Sequence, residues 1–456
     1  MDEGALEIAG VRWWLGPGGS PESLAPLLAR LPAALGGEAL ALKRGRRKEL
    51  YRWIGPAPGH DLLVKVSRYE RGAGWLRSLR GSKARRELAI ARGLAARGLA
   101  TPLPLAAGEL RRRGRLRACY LVVARLDGAV DLAALWRDAA LAPRERRELA
   151  SALGTLAQRL HAAGLHQPDF APNNFLVLRA GAPELLPVDF ERARLCRVLP
   201  RAARARMLAT LGAHLAQASA AARWRFLRAY AGSGPGSARD WWRRVARAAP
   251  GVAAAEWKHL RRTSTRDGRS FCAVTWGGWR GWARRDPGLD ALARANAGLA
   301  AGGPGRRAAG AKARAELLCW RGPDPGGPRA RAAWAAAQLL WTRGRLAPEP
   351  LALVRGAGEA RLWWRPEPGA RSLAELAGQT AERAAALRAA SVLLARLLGL
   401  GRVSPRGLSP GSLLLAPLPG GRFSAQLLDP EAFRPGTPAP GSPRRGAREL
   451  LAAALS

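Results

Sequence analysis

Leu165-His166-Gln167-Pro168-Asp169-Phe170-Ala171-Pro172-Asn173-Asn174-Phe175-Leu176-Val177-Leu178 is the stretch on which the fold turns. Asparagine occurs three times in the chain, and two of those are Asn173 and Asn174. Just before it, Leu149, Leu153, Leu156 and Leu160 repeat at helical spacing. Pro143 suits the first helical position and Gly164 the stop. Phe175 to Leu178 reads as a short buried strand, and Glu184 to Phe190 as a second strand ending in Asp189.

Helix, acidic loop, short strand, turn, strand and aspartate is how a protein-kinase-like fold builds its catalytic loop and metal site. Asp169 followed five residues later by Asn174 has the spacing of that loop. The chemistry needs those types. One carboxylate takes the acceptor hydroxyl proton, while a carboxamide and a second carboxylate, Asn174 and Asp189, hold Mg2+ on the ATP phosphates. Upstream, Leu50–Ile54 and Asp61–Val66 read as a hairpin with Lys65 in mid-strand, where a small lobe needs a lysine for the phosphates. Ser82 suits an N-cap. Behind it Ala84, Glu87, Ala91 and Leu94 share one helical face, so Glu87 needs a partner and Lys65 supplies it. Gly45, in the basic turn Lys43–Lys48, is the candidate for a loop over ATP, although no GxGxxG is present.

These segments resemble the lipopolysaccharide core kinases, which phosphorylate heptose or Kdo sugars. The resemblance lies in Leu63-Val64-Lys65, the helix start Ser82–Glu87, Gly98…Pro102, Asp169-Phe170…Asn174-Phe175-Leu176, Val188-Asp189-Phe190 and Arg225–Tyr230. It implies an α+β, two-lobed kinase-like fold using ATP and Mg2+. It also implies a sugar hydroxyl of lipopolysaccharide as acceptor, and Asp169, Lys65 and Glu87 as the catalytic set. Two departures stand out. His166 and Asp169 have two residues between them where the family has one, and Glu191 follows Phe190 where protein kinases have Gly.

The second half reads as a degenerate copy of the first. With Gly401 set beside Gly164, Leu160, Pro168, Leu176 and Leu178 meet Leu397, Pro405, Leu413 and Leu415. Farther on, Asp429 meets Asp189, while Pro348 and Pro350 meet Pro102 and Pro104. Arg406 then stands for Asp169, Gly411 for Asn174, Ala333 for Glu87 and Trp320 for Lys65. The expected organisation is an N-terminal extension over 1–40, a kinase-like domain over 41–250 and a pseudokinase domain over 255–456.

The formal charge is +41, yet only six of the 75 basic residues are lysines, and the arginines are scattered. That pattern reads as a solvated basic surface able to meet anionic lipid or glycolipid, with nucleic acid not the expected partner. Cys119, Cys196, Cys272 and Cys319 show no CxxC spacing, so reduced thiols are expected. Neither a signal segment nor a run of about 18 apolar residues is present, which gives the expectation of a cytoplasmic protein, peripheral at the inner membrane. The competing functions are a protein or small-molecule kinase of the same fold, and a non-catalytic basic scaffold for membrane or nucleic acid.

Overall fold

The computed structural model describes residues 5–455 apart from 18, 46–47, 56–60, 70–80, 103, 139, 180–182, 216–217, 233–235, 269, 286–288, 299–317, 324–327, 344, 357, 378–379, 405–407, 430–431 and 436–442. The chain divides into two compact units, Met1–Leu211 with Ala218–Arg243, and Gly212–Gln217 with Arg244–Ser456.

The first unit runs β1 (Ala5–Ile8), β2 (Val11–Leu15), α1 (Pro21–Ala34), β3 (Leu40–Arg44), β4 (Lys48–Ile54), β5 (Asp61–Arg68), α2 (Lys83–Ala95), β6 (Pro104–Arg112) and β7 (Arg115–Ala124). It continues with β8 (Val130–Asp131), α3 (Leu132–Arg137), α4 (Pro143–Ala162), β9 (Leu165–His166), a 3-10 turn (Pro172–Asn174), β10 (Phe175–Leu178), β11 (Glu184–Pro187) and β12 (Arg194–Leu195). Then come α5 (Arg201–His214), α6 (Ala220–Ala231) and α7 (Ala238–Thr263), of which α5 and α7 cross the division.

Seven strands form one antiparallel sheet in the order β1-β2-β6-β7-β5-β4-β3. Within the expected extension 1–40, β1 and β2 belong to this sheet, since β2 pairs with β6 from Val11 to Leu15 and β1 pairs with β2. Strand alternation sends neighbouring residues to opposite faces. Trp13 lies in a core with Leu24, Leu27, Leu28 and Leu31 of α1 and with Val64 and Val66. Trp14 lies in another with Ala84 and Leu88 of α2. Lys65, between Val64 and Val66, therefore points to the α2 side. Ser82 caps α2, its Oγ accepting the Arg85 N–H at 3.1 Å, while Glu109 accepts the Ser82 N–H at 3.0 Å.

In the lower part, α4 buries Leu149, Leu153, Leu156 and Leu160. Gly164 ends it at φ +81, where a Cβ would stand 1.9 Å from the Cys196 carbonyl oxygen. Only glycine lets β9 approach β12 this closely. The three-stranded sheet β11-β10-β8 follows.

The second unit is also α+β with antiparallel pairings. It runs β13 (Phe271–Trp276), β14 (Trp279–Arg284), α8 (Leu289–Gly298), β15 (Leu318–Pro323), α9 (Pro328–Thr342), β16 (Glu349–Gly356), β17 (Glu359–Arg365), β18 (Arg371–Ser372), α10 (Leu373–Ala377) and α11 (Thr380–Leu400). There follow β19 (Gly401–Val403), a 3-10 turn (Pro410–Ser412), β20 (Leu413–Leu418), β21 (Arg422–Leu427), β22 (Phe433–Pro435) and α12 (Pro443–Leu455). The larger sheet has the order β13-β14-β16-β17-β15, and β18-β20-β21 and β19-β22 form the smaller ones.

Some of its pairings can be set beside pairings of the first unit. The β6–β7 ladder shifts register between Pro104 and Ala106, and the β16–β17 ladder between Pro350 and Ala352. Lys65 pairs with Leu121, and Trp320 with Leu362. Asp131 pairs with Leu176, and Ser372 with Leu414. Both then cap a helix, Asp131 accepting the Ala134 N–H at 2.9 Å and Ser372 the Glu375 N–H at 3.2 Å. Gly401 lies inside β19, opposite Pro435, and is not in the left-handed conformation of Gly164. The Ser412 carbonyl accepts the Leu428 N–H at 2.8 Å, and the Asn174 carbonyl accepts the Val188 N–H at 2.8 Å. Arg406 lies outside the described residues.

Candidate active site

Lys65 sits in the middle of β5 and Glu87 one turn into α2. Their side chains meet at 3.0 Å, and the Lys65 ammonium stands 3.4 Å from Asp189 Oδ1. Glu87 is buried, with 8% of its side chain exposed, whereas Asp189 is half exposed. A carboxylate removed from water needs a charge partner, and Lys65, 38% exposed, supplies it. Burial pulls the Lys65 ammonium down, but Glu87 and Asp189 outweigh it and hold it above its usual value. Burial, helped by the nearby Asp189 and Glu191 charges, raises the Glu87 carboxyl against the pull of Lys65.

Asp189 has φ 62 and ψ 63, a left-handed conformation that is costly for a residue with a Cβ. Its surroundings hold it there. Gln167 Nε2 donates to the Asp189 carbonyl at 3.2 Å, and the Val188 N–H donates to Asn174 O at 2.8 Å. The strand carrying the second carboxylate is thus tied to the loop carrying the first.

Within that loop, Asn174 Nδ2 donates to the Asp169 carbonyl at 2.6 Å, and Asn174 Oδ1 accepts from Asn173 at 3.0 Å. The loop closes on itself, leaving the Asp169 side chain exposed toward solvent. Phe170, fully buried, anchors it, packing edge-on against Phe175 at 5.2 Å and against His161 at 5.3 Å. His161 is itself fully buried, with Nδ1 2.8 Å from the Tyr230 hydroxyl. Burial, helped by Arg204 and His166, holds its pKa down at about 3, so the ring is neutral. His166, whose spacing to Asp169 departs from the family, lies in β9 opposite Arg194 of β12.

Lys65, Glu87 and Asp189 are therefore brought together, and Asp169 and Asn174 share one loop beside the Asp189 strand. Gly45 lies exposed between β3 and β4. It makes no contact with these side chains among the described residues, but its near neighbour Lys48 reaches Glu191. Sequence reasoning missed Gln167, His161 and the Glu191 contacts. Only the rarity of histidine, five in the chain, could have drawn attention to His161. Asn174 and Asp189 offer the hard oxygen donors that suit Mg2+, and the Asn174 Oδ1 atom is held by no partner stronger than Asn173.

The Lys65–Glu87 pair, the left-handed Asp189 and the loop of Asp169 and Asn174 stand together on an α+β, kinase-like fold. The model of the lipopolysaccharide kinase (Kdo/WaaP) family matches residues 70–230, so over that segment the chain carries a domain of this family. Glu87, Asp169, Asn174 and Asp189 fall within the match, and Lys65 lies just ahead of it. Among solved structures, one titled "WaaP in complex with acyl carrier protein" is similar at 23% identity, over 51% of this chain and 92% of that one, with a TM-score of 0.40. No curated protein matches the sequence.

Proposed function

We propose that the chain is an ATP-dependent phosphotransferase that moves the γ-phosphoryl group of ATP to a sugar hydroxyl of the lipopolysaccharide core. The observation that carries this is the Lys65 ammonium held between Glu87 at 3.0 Å and Asp189 at 3.4 Å, next to the Asp169–Asn174 loop. Lys65, fixed by Glu87, meets the ATP phosphates. Asp169 accepts the proton of the sugar hydroxyl as its oxygen bonds to the γ-phosphorus, and ADP leaves with the electrons of the broken P–O bond. Asn174 and Asp189 would hold Mg2+, which supplies charge neutralisation on the phosphates. Gln167 keeps Asp189 in its left-handed position, and Phe170 on neutral His161 fixes the loop.

The second unit serves as a degenerate copy without catalytic residues. The matching ladder shifts, the paired N-caps Asp131 and Ser372, and Trp320, Ala333 and Ser412 at the places of Lys65, Glu87 and Asn174 support this. Work at the cytoplasmic face of the inner membrane fits a chain of charge +41 in which, among the described residues, no helix is long and apolar enough to cross a membrane. Each well-placed basic residue adds about 1 kcal/mol of attraction to anionic headgroups.

The test is transfer from γ-labelled ATP to purified core oligosaccharide, beside the core mass of a deletion strain. Labelled core, and loss of one phosphate in the deletion strain, are expected. Label appearing only on protein, with an unchanged core mass, would move the acceptor to another class and keep the kinase chemistry.

A further inference from the structure

Three of the six lysines of the chain converge on one acidic cluster, although nearly all other basic residues are arginines. Lys65 takes Glu87 and Asp189, while Lys48 and Lys83 both take Glu191. Lys48 binds Glu191 Oε2, and Lys83 binds Oε1 at 2.5 Å, so each carboxylate oxygen has its own ammonium. Arg86 donates to the Glu191 backbone carbonyl at 3.2 Å. Carboxylate oxygens of Glu87, Asp189 and Glu191 lie within 4.8 Å of one another, so this clasp borders the place where the phosphates meet Lys65.

A compact anion held by two ammonium groups from separate elements resembles a bound phosphate more than a surface ion pair. The two lysines are not alike. Lys83 sits in the first turn of α2 with a third of its side chain exposed. Lys48 opens β4, directly after the turn that holds Gly45, and 59% of its side chain is exposed. Lys48 is the more exposed of the two. The Glu191 carboxylate is held by Lys48 on one oxygen and Lys83 on the other, so it is the group Lys48 would leave, and a phosphate its natural replacement.

On the phosphotransferase function proposed above, we infer that Lys48 is a further nucleotide-positioning residue, and that Glu191 holds it in the place of a phosphate until a nucleoside di- or triphosphate binds. Phosphate oxygens then take the Lys48 ammonium while Glu191 keeps Lys83.

The test is equilibrium binding of Mg-ATP, Mg-ADP and adenosine to the full chain by calorimetry, with Lys48→Met, Lys48→Arg and Glu191→Gln. Lys48→Met should weaken ATP and ADP about tenfold, the scale of one charge-assisted hydrogen bond. It should leave adenosine binding and the nucleotide-free melting temperature unchanged, and Lys48→Arg should recover most of the loss. Glu191→Gln should tighten ATP, because the competing anion is gone. Equal ATP binding by wild type and Lys48→Met would overturn the inference alone. Weaker ATP binding in Glu191→Gln would overturn the displacement, and a wild type that binds no Mg-ATP would overturn the proposed function with it.

Discussion

Lys65 lies in β5, inside its sheet and opposite Leu121, whereas Trp320 lies in β15, an edge strand among the described residues, opposite Leu362. The helices behind them differ in the same way. Glu87 in α2 is buried and paired, whereas Ala333 in α9 is 3% exposed and needs no partner. The neighbouring packing is similar in kind. Trp13 and Trp53 fill one face of the first sheet, while Trp334, Leu362 and Trp364 share one core in the second unit. An apolar framework is sustained by area and shape. A buried carboxylate costs desolvation and needs a charged partner, which an alanine does not. Sheet order and chemistry are therefore separable properties of this chain.

The sharpest way to break the comparison is at Asp169. Asp169→Asn keeps size and hydrogen bonding but removes the proton acceptor, so transfer should fall at least about a hundredfold while ATP binding is kept. Adding Asp429→Asn to it should lower the residual rate no further, because the second unit contributes none. Undiminished turnover in the single variant would remove Asp169 from the mechanism.

Next comes the pair that the second unit lacks. Lys65→Met and Glu87→Ala should each cut ATP turnover, and in a double-mutant cycle the two losses should be strongly non-additive, coupled by about 0.5–3 kcal/mol. Additive losses would mean that Glu87 does not act through Lys65.

The smallest effect sharpens the lower half of the site. His161 is held neutral, with its pKa at about 3 against an ordinary value of 6.5. Between those values the unfolded chain binds the proton and the folded one does not, so stability falls as pH drops from 6.5 toward 3. The slope should approach about 1.4 kcal/mol per pH unit. In denaturant titrations across pH 4 to 7, His161→Phe should show a shallower slope than wild type. Equal slopes would show that other groups carry the acid sensitivity.

How much of this was legible in the sequence depends on the kind of contact. The Asp169…Asn174 spacing, the stripe of α4 and Lys65 between two valines are local patterns, and the structure keeps each of them. Strands β1 and β2 were not legible, because their partner β6 lies far along the chain and α1 carries Pro26 and Pro32 in its interior. Gln167 and Glu191 were not legible either. A loop amide and an acid after Phe190 acquire their roles from Asp189, Lys48 and Lys83, which come from other elements. The ladders β6–β7 and β16–β17 each shift register beside a proline, Pro104 and Pro350, which no local pattern in the sequence announces.

The central claim is one live nucleotide site, in the first unit. Its most direct test is the stoichiometry of Mg-ATP binding to the full chain, measured by calorimetry on wild type, Asp189→Ala and Asp429→Ala. One nucleotide per chain is expected, lost or greatly weakened in Asp189→Ala and untouched in Asp429→Ala. Two nucleotides per chain, or loss of binding in Asp429→Ala with Asp189→Ala unaffected, would contradict it.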